Sequence, residues 1–279
     1  MRPNAVRIAG PQPATLAETI GTHHLQRAFR SFAATVYGLY AVTAFLVLGM
    51  STFALVTIVP GLSVTARRAI AHFFARLFFG VSGVRVRVDG EERLPAGPCV
   101  VVANHASYID GVLLKAFLPA RFSFVIKKEI NKVPLAGLLL RRIGSEFVDR
   151  FNRNAGAVDA RRLIKAADSG QALAFFPEGT FNEEAGIGKF HTGAFIIAAR
   201  AGIPIVPVAI RGTRGMLPSG RMLPRWSRLQ IDILPSVSAP DGPASATAQA
   251  MRDEARARIV AVVDEPDLSD KDGVAALAN

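Results

Sequence analysis

A histidine and an aspartate follow an apolar run in the segment VVVANHASYIDG, residues 100–111. The first residues of the segment have the composition of a buried strand, and the run stops at Asn104 and His105. Asp110 follows within the same segment. An imidazole can act as a general base when a carboxylate holds its tautomer and stabilises its protonated form. The segment is therefore a candidate proton-transfer site.

The spacing between His105 and Asp110 restricts where the following helix can begin. Along a continuous helix this spacing is about 140° of rotation, so the two side chains would not share a face. They can meet if His105 lies in a loop and the helix begins near Ser107, with Asp110 in its first turn. A structural alternative exists, because Ser107 to Asp110 also fits the S-x-x-D capping-box pattern. The residues alone leave both interpretations open.

The elements around this segment alternate between strand and helix patterns. Such alternation predicts an α/β domain with a mostly parallel central sheet covered by helices. The candidate strands are residues 84–90, 99–103, 122–126, 146–148, 173–176, 204–210 and 229–234. The candidate helices are residues 109–117, 133–143, 155–169, 192–202 and 246–263.

Polar side chains follow several of these strands. In open α/β sheets, ligands bind beyond the carboxyl ends of the strands, so side chains from distant parts of the sequence converge there. The residues expected at this edge are Asn104, His105, Lys127, Lys128, Asp149, Arg150, Glu178 and Arg211.

A long apolar segment precedes the α/β pattern. No charged residue occurs between Arg30 and Arg67, and about 20 apolar residues suffice to cross a bilayer as a helix. The segment starts too far from Met1 and is too long for a cleaved signal peptide. A pair of buried core helices is the alternative. Basic residues flank both ends, and their slight excess after the segment favours a cytoplasmic catalytic domain.

These patterns divide the chain into four parts. We expect a polar N-terminal segment over residues 1–30, a membrane-anchoring helical segment over 31–80 and the catalytic domain over 81–263. An acidic tail, residues 264–279, is expected to be disordered. Within the anchor, residues 66–80 have the pattern of an amphipathic helix that lies in a membrane interface, although a core-packing helix has the same pattern.

Charge and cysteine content narrow the possible partners. The formal net charge is +11, and a basic surface attracts nucleic acid, anionic lipid headgroups or phosphorylated ligands. No nucleic-acid-binding signature is present, so the membrane surface is the expected partner. Cys99 is the only cysteine, which excludes an intramolecular disulfide. We expect no metal site, because spacings typical of metal ligands are missing.

Further motifs occur at the ends of the other candidate strands. They are KKE (127–129), GSEFVDR (144–150), FPEGT (176–180) and VPV (206–208). With NHASYID (104–110), these motifs resemble in type and order those of the glycerolipid acyltransferases, typified by the 1-acyl-glycerol-3-phosphate acyltransferases. Any one motif is weakly specific, but all five in order are highly specific.

The resemblance implies acyl transfer from acyl-CoA or acyl-carrier protein to the sn-2 hydroxyl of 1-acyl-glycerol-3-phosphate, giving phosphatidic acid. It implies that His105 deprotonates the hydroxyl and that Asp110 orients His105. No protein nucleophile is needed, which agrees with the absence of a G-x-S-x-G motif. No cofactor is expected besides the thioester co-substrate. The expected partners are membrane lipids and the thioester donor, at a bacterial inner membrane.

The resemblance also implies which residues bind the substrate. The family's acceptor-binding positions correspond to Arg150, Glu178 and Gly179, and the guanidinium of Arg150 suits a phosphate. For the cations, a solvated surface charge is the alternative. The full set of expected substrate-binding residues is Asn104, Lys128, Arg150, Glu178, Gly179, Thr180 and Lys189.

Two departures from the family pattern bear on the acceptor. Phe181 and Asn182 follow Thr180 where the family often has Arg-Ser, and His191 replaces a lysine common downstream. The loss of these cations makes a lyso-lipid without a phosphate, such as a lyso-ornithine lipid, an alternative acceptor. A non-catalytic membrane protein that binds lipid is the alternative from another functional class.

Overall fold

The structure, a computed structural model, describes residues 16–149, 153–181, 184–240 and 242–269. One sheet contains the strands β1 Val86–Asp89, β2 Val100–Ala103, β3 Ser123–Lys127, β4 Glu146–Val148, β5 Leu173–Phe175, β6 Ile205–Arg211 and β7 Leu229–Ile233. The α-helices are α1 Leu16–Ile58, α2 Val64–Val81, α3 Asp110–Phe117, α4 Ala136–Arg142, α5 Arg153–Asp168, α6 Gly193–Ala201, α7 Thr213–Met216 and α8 Ala244–Val260. Two short 3-10 helices span Glu91–Arg93 and Lys128–Lys132.

The sheet is mostly parallel, in the order β1-β7-β6-β2-β5-β3-β4. The strands from β6 to β4 run parallel to one another, β7 is antiparallel to β6, and β1 is parallel to β7. The register pairs Val100 of β2 with Leu173 of β5 and with Ile205 of β6. Consequently β6, β2, β5, β3 and β4 all end at the same edge, which is where a ligand site is expected.

Strand β2 lies at the centre of the sheet and is buried throughout. Val100 and Val102 face a core shared with α5, α6 and α8, whereas Val101 and Ala103 face a core shared with α2 and α3. Successive side chains of a strand point to opposite faces, so burial on both faces requires a continuous apolar run. This burial fixes the position of the loop that follows β2.

Helix α1 packs along the domain while leaving much of its apolar surface outside. Ala41 and Val56 are fully buried, and α1 contacts α2 and α4. Phe29 and Phe32 are among many large apolar side chains of α1 that are exposed. The segment Gln26–Ile58 is long and apolar enough to cross a membrane. One face of α1 therefore contacts protein and another is available to lipid.

The predicted fold class and all seven candidate strands are confirmed. The helix predicted over residues 133–143 begins later, at Ala136. Leu135 directly before it has a φ of 60°, a left-handed conformation that side chains other than glycine rarely adopt and that a regular helix excludes. The segment Lys128–Lys132 forms a 3-10 helix that the sequence patterns did not predict.

The expected N-terminal boundary near residue 30 does not coincide with an element boundary. Helix α1 begins at Leu16 and continues without interruption through residue 30 into the apolar segment. Residues 1–15 lie outside the described part of the chain.

Residues 264–269, the first residues of the expected acidic tail, contact the domain. Leu268 is buried, and Asp267 forms an ion pair with Arg256 of α8. The Arg256 guanidinium lowers the pKa of the Asp267 carboxyl well below its usual range. Acidic residues at the start of the tail therefore attach it to the basic domain. Residues 270–279 lie outside the described part.

Candidate active site

His105 and Asp110 meet at the carboxyl end of β2. His105 lies in the loop, α3 begins at Asp110, and the imidazole Nδ1 is 2.8 Å from Asp110 Oδ2. A carboxylate at Nδ1 favours the tautomer that carries its proton there and leaves Nε2 basic. The His105 side chain is 17% exposed, so a substrate group can reach it.

The same oxygen of Asp110 also shapes the turn. Oδ2 accepts hydrogen bonds from the backbone N–H groups of Ala106 and Ser107, at 2.7 and 2.8 Å. The side chain is fully buried, and its other oxygen, Oδ1, has no partner among the described residues. The capping interpretation and the pairing with His105 therefore coexist in one side chain.

Glu178 joins the histidine loop to the neighbouring strand β5. Its Oε1 accepts a hydrogen bond from the His105 backbone N–H at 2.7 Å, and Oε2 accepts one from the Gly188 N–H at 2.9 Å. Burial raises the pKa of the Glu178 carboxyl, while these two backbone N–H groups oppose the rise. Gly179 follows with a φ of +86°, which the turn after Phe176 requires.

Aromatic rings surround the imidazole. The Phe176 ring stacks on His105 with centroids 4.2 Å apart, and the Phe181 ring meets it edge to face at 4.6 Å. Tyr108 contacts Phe181 in turn, at 4.8 Å, and is 60% exposed. These rings restrict the orientation of His105 and give the site an apolar wall.

A cavity of about 560 Å³ opens at His105 and extends between α1, α2, α3, β3 and α4. This volume lies in the range of roughly 300–1,000 Å³ that is typical of small-molecule sites. Its walls are largely apolar, and they include Leu48 of α1, Phe74 of α2 and Leu140 of α4. The imidazole therefore lies at one end of a space suited to a hydrocarbon chain.

Two lysines line this largely apolar cavity. Lys127 at the end of β3 is half-buried. Lys115 of α3 lies against the Phe124 ring, with Nζ 5.7 Å from its centroid, and burial lowers the pKa of Lys115 to about 8. The Arg68 guanidinium nearby adds to this lowering.

Residues 85–211 match the family model described as Acyltransferase. The His105–Asp110 pair and Glu178 lie within the matched residues. This region of the chain is thus similar to acyltransferases. Cys99, in the same region, is buried and its pKa is raised by burial to about 11, which does not suit a thiolate nucleophile.

Two curated proteins are similar to part of this chain. The 1-acyl-sn-glycerol-3-phosphate acyltransferase BAT2, chloroplastic, of Brassica napus is 33% identical over 159 residues, which cover 55% of this chain and 46% of that protein. The lyso-ornithine lipid O-acyltransferase of Pseudomonas aeruginosa is 32% identical over 163 residues, 58% of this chain and 61% of that protein. The chain spans about half the length of the curated relatives it matches.

A solved structure has the same fold as this chain. The crystal structure of the 1-acyl-sn-glycerophosphate acyltransferase PlsC from Thermotoga maritima aligns with a TM-score of 0.62. The alignment covers 83% of this chain and 97% of that chain, at 23% sequence identity. The mostly parallel sheet and its helices are thus shared.

Within the candidate site, several residues expected from the sequence come together. His105 and Asp110 are in contact, Glu178 binds the His105 backbone, and Gly179 and Thr180 line the cavity with His105. All five follow either β2 or β5, which are neighbours in the sheet.

Asn104 is placed differently from the expectation that it binds substrate. Its side chain is buried, with Nδ2 donating to the Ile210 carbonyl at 3.0 Å and Oδ1 accepting from the Ile210 N–H at 2.7 Å. Both polar atoms of the amide are occupied by the end of β6. Asn104 therefore acts as a positioning residue that fixes the start of the histidine loop.

The expected cationic residues are not gathered at His105. Lys128 is 57% exposed and lies 3.5 Å from Asp149, Lys189 is exposed, and Arg211 pairs with Asp232 at the end of β6. Arg150 lies outside the described residues. Substrate binding by Lys128 and Lys189 stays a prediction, since neither lines the cavity described above.

The sequence placed Lys127 at this edge of the sheet but gave no expectation for Lys115 or for the aromatic wall. Lys127 ends the same strand that Lys128 follows. Phe181 was noted only as a departure from the family pattern, although its place beside the FPEGT turn brings it to the imidazole. Lys115 gave no signal, because its position on α3 resembles that of an ordinary surface lysine.

Proposed function

We propose that this protein transfers a fatty acyl group from an acyl thioester, acyl-CoA or acyl-carrier protein, to the sn-2 hydroxyl of 1-acyl-glycerol-3-phosphate. The product is phosphatidic acid. The observation that carries the proposal is the 2.8 Å contact between His105 Nδ1 and Asp110 Oδ2 at the opening of an apolar cavity. The names of several relatives support the same reaction.

The proposed chemistry follows from the orientation of the His105 imidazole, whose Nδ1 faces Asp110. Nε2 of His105 accepts the proton of the acceptor hydroxyl, and the oxygen attacks the thioester carbonyl carbon. The new C–O ester bond forms as the C–S bond breaks, and the imidazolium returns its proton to the leaving thiolate. Asp110 stabilises the charged imidazolium through Nδ1 and takes no proton itself. No acyl-enzyme is formed in this scheme.

The cavity gives the acyl chain a place close to the reacting atoms. Burial of each methylene contributes about 0.8 kcal/mol, so an apolar space ending at His105 favours a bound chain whose carbonyl lies at the imidazole. Holding both reactants there converts a bimolecular reaction into one between neighbouring groups. Ala71 and Ile143 line the cavity and pack together with Val56, so this part of the wall would then limit the length of the chain.

A lyso-ornithine lipid is the second candidate acceptor. Phe181 stands beside His105 where the family often has an arginine, and its ring makes this part of the wall apolar. The relative from Pseudomonas aeruginosa is named for that acceptor. Both candidates use the same proton transfer at His105 and differ only in the headgroup.

Membrane attachment completes the proposal. The outward face of α1 carries exposed apolar side chains, among them Phe29, Phe32 and Leu46. The opposite face packs on the domain through Ala41 and Val56, which favours a helix lying along the membrane surface over one that leaves the domain to cross it. An enzyme held there reaches its lipid substrate without extracting an acyl chain into water.

A product assay tests the function. Purified protein in vesicles is given acyl-CoA or acyl-carrier-protein donors with 1-acyl-glycerol-3-phosphate or lyso-ornithine lipid, and the products are identified by mass. We expect one acceptor to gain a single acyl group and to release free thiol in equal amount. Free fatty acid without acylated acceptor would identify a hydrolase. Bound lipid without turnover, with either donor, would identify a non-catalytic binding protein.

A further inference from the structure

Residues 217–228, LPSGRMLPRWSR, form a loop between α7 and β7 that the proposed reaction does not use. The loop contains three arginines and no acidic residue. Met222 is 89% exposed and Trp226 is 49% exposed. Large apolar side chains next to unneutralised cations in one exposed loop are unusual for a surface that faces only water.

The loop is attached to the two helices that carry the outward apolar face. A Cβ atom at Gly38 of α1 would lie 3.0 Å from Leu223 Cβ, so the glycine permits the loop to lie directly on the helix. Trp226 Nε1 donates a hydrogen bond to the carbonyl of Gly83, just after α2, at 2.9 Å. This bond satisfies the polar edge of the indole and leaves much of the ring outside. The loop therefore continues the exposed surface of α1.

The loop is also attached to the active site. Ser107 Oγ donates a hydrogen bond to the Leu217 carbonyl at 2.6 Å, and Ser219 lines the cavity that opens at His105. Tyr108, which is largely exposed, lines the same opening. Whatever covers the loop therefore also lies at the mouth of the cavity.

The charges of the loop indicate which kind of surface it can contact. Arg225 and Arg228 are exposed and Arg221 is half-buried, and no carboxylate pairs with them in the described part of the chain. Cationic residues near a membrane are attracted to anionic headgroups, and tryptophan is enriched at the membrane interface. Residues 217–228 thus combine apolar, indole and guanidinium groups, which is the combination expected of a surface that binds an anionic bilayer.

We propose that residues 217–228 are a second membrane contact, which inserts Trp226 and Met222 among the headgroups of an anionic bilayer. This inference rests on the proposed membrane attachment through α1, and extends it to the catalytic opening. The contact places the mouth of the cavity at the lipid surface, so an acceptor can enter without leaving the bilayer. The arginines bind lipid phosphates, which also concentrates acidic lipids beside the site.

Trp226 is the only tryptophan of the chain and reports directly on the proposal. The full-length protein is bound to vesicles of phosphatidylcholine and phosphatidylglycerol, with and without phospholipid brominated on its acyl chains. We expect a blue-shifted emission, quenching by the brominated lipid and protection from aqueous iodide. If iodide quenches the Trp226 emission of vesicle-bound protein and brominated lipid does not, the proposal is overturned. Protection from both quenchers would indicate a protein surface over the loop and would also overturn it.

A matched control places the tryptophan on the other side of the sheet. Gln249 is exposed on α8, which packs in the core opposite the one that contains α2 and α3. The double variant Trp226→Phe/Gln249→Trp keeps the attachment through α1, and in its vesicle-bound fraction the emission of Trp at position 249 should stay accessible to iodide. Equal bromine quenching of the two positions would contradict a contact specific to the loop.

Sedimentation of the same samples separates this inference from the proposal on which it rests. Protein that remains in the supernatant refutes membrane attachment altogether, whereas pelleted protein with a water-exposed Trp226 refutes only the second contact. Replacing Arg221, Arg225 and Arg228 by glutamine should leave the protein in the pellet but reduce the bromine quenching several-fold. Unchanged quenching in that variant would contradict the role assigned to charge.

Discussion

At the residue scale, one oxygen of Asp110 holds both the imidazole of His105 and the turn on which it sits. The catalytic geometry is therefore tied to local folding, because losing the carboxylate releases the loop and the ring together. Glu178, which follows β5, supports the same loop, and Asn104 joins the start of the loop to Ile210 of β6. The sequence allowed the His105–Asp110 contact on the condition that the helix begins near Ser107, and left a capping role for Asp110 as the alternative. In the structure α3 begins at Asp110 and the two side chains are in contact.

The sequence could not assign the side chains that support the pair. Asn104 is adjacent to His105, and adjacency does not tell whether an amide points to substrate or into the sheet. Its hydrogen bonds run to Ile210, more than a hundred positions away, and depend on the register of β2 and β6. Long-range pairing of this kind is invisible in a single sequence, so the residue type suggested chemistry where the structure has a positioning role.

Replacement of Asn104 tests that positioning role. In Asn104→Ala the buried N–H and carbonyl of Ile210 lose their partners, so we expect a loss of roughly 2–4 kcal/mol in the free energy of unfolding. Chemical denaturation in detergent measures it. The control is Asn131→Ala, whose amide accepts one exposed hydrogen bond from Arg141 and should cost under about 0.5 kcal/mol. Equal effects of the two substitutions would contradict the assignment.

Lys115 gives a pH-dependent prediction. Burial lowers its pKa from 10.5 to about 8 in the folded protein, so between these values the unfolded chain binds more protons and stability rises with pH. Below about pH 8 the folded protein carries the full cost of the buried ammonium. We therefore expect Lys115→Met to raise the unfolding temperature at pH 7 and to lose that advantage as the pH increases toward 10.

The control for this prediction is Lys165→Met on the exposed surface of α5, which should give no pH-dependent difference. Thermal unfolding at pH 7 and pH 9.5 measures both variants. A Lys115→Met variant that is less stable than the wild type at pH 7 would contradict a desolvated ammonium. It would indicate instead that the interaction with the Phe124 ring outweighs the desolvation.

At the element scale, helices α1, α2 and α4 line the cavity whose opening lies at the end of β2 and the start of α3. Ala71 of α2 lines the cavity and packs with Val56 of α1 and Ile143 next to α4. The carbonyl of Lys115 contacts His72, the neighbour of Ala71. Lys115 lies five residues beyond Asp110 on α3, about 7.5 Å along the helix axis. Ala71 therefore marks the part of the cavity distant from His105.

Enlarging Ala71 tests whether this end limits the acyl chain. Ala71→Leu adds three carbons to the wall, so we expect selectivity to shift toward donors shorter by about two to three methylenes, each worth about 0.8 kcal/mol. Competition among a graded series of saturated acyl thioesters measures the shift. The same substitution at Ala250, exposed on α8, is the control and should change nothing. Unchanged selectivity in Ala71→Leu would place the acyl chain elsewhere.

The elements themselves were largely predictable, whereas the cavity was not. Period-two and continuous apolar runs located the strands because burial on one or two faces dictates those patterns. The cavity depends on how α1 and α4 pack against the domain. Helix α4 starts after Leu135, whose left-handed backbone conformation no sequence pattern predicts. The acidic composition of the tail led to the prediction of disorder. Asp267 nevertheless forms an ion pair with Arg256, because the surface that the tail contacts is basic.

At the scale of the whole molecule, the outward face of α1 and the active-site opening belong to one continuous surface. The loop 217–228 joins them through Gly38 and Ser107. The opposite side of the sheet carries α5, α6 and α8, which leaves it to face water. In the proposed function, this surface would orient the protein so that the thioester approaches from water and the acceptor from the bilayer.

Extraction of membranes tests the attachment of the whole chain. Because exposed apolar side chains such as Phe29, Phe32 and Leu46 are proposed to lie in lipid, we expect the protein to stay in the membrane pellet after washing with high salt and with alkaline carbonate. Detergent should release it. Release by salt alone would limit the attachment to electrostatic contacts and contradict a role for the apolar face of α1.

The proton transfer assigned to His105 is tested most directly by single-turnover acylation in His105→Ala, with binding of thioester and lyso-lipid measured in parallel. Removal of a general base typically costs about 10²–10⁴-fold in rate, and we expect that loss with both affinities retained. Asp110→Asn should also be slowed, since the amide keeps an oxygen for the turn but cannot stabilise the imidazolium. Acylation by His105→Ala within a few-fold of the wild-type rate would contradict the account.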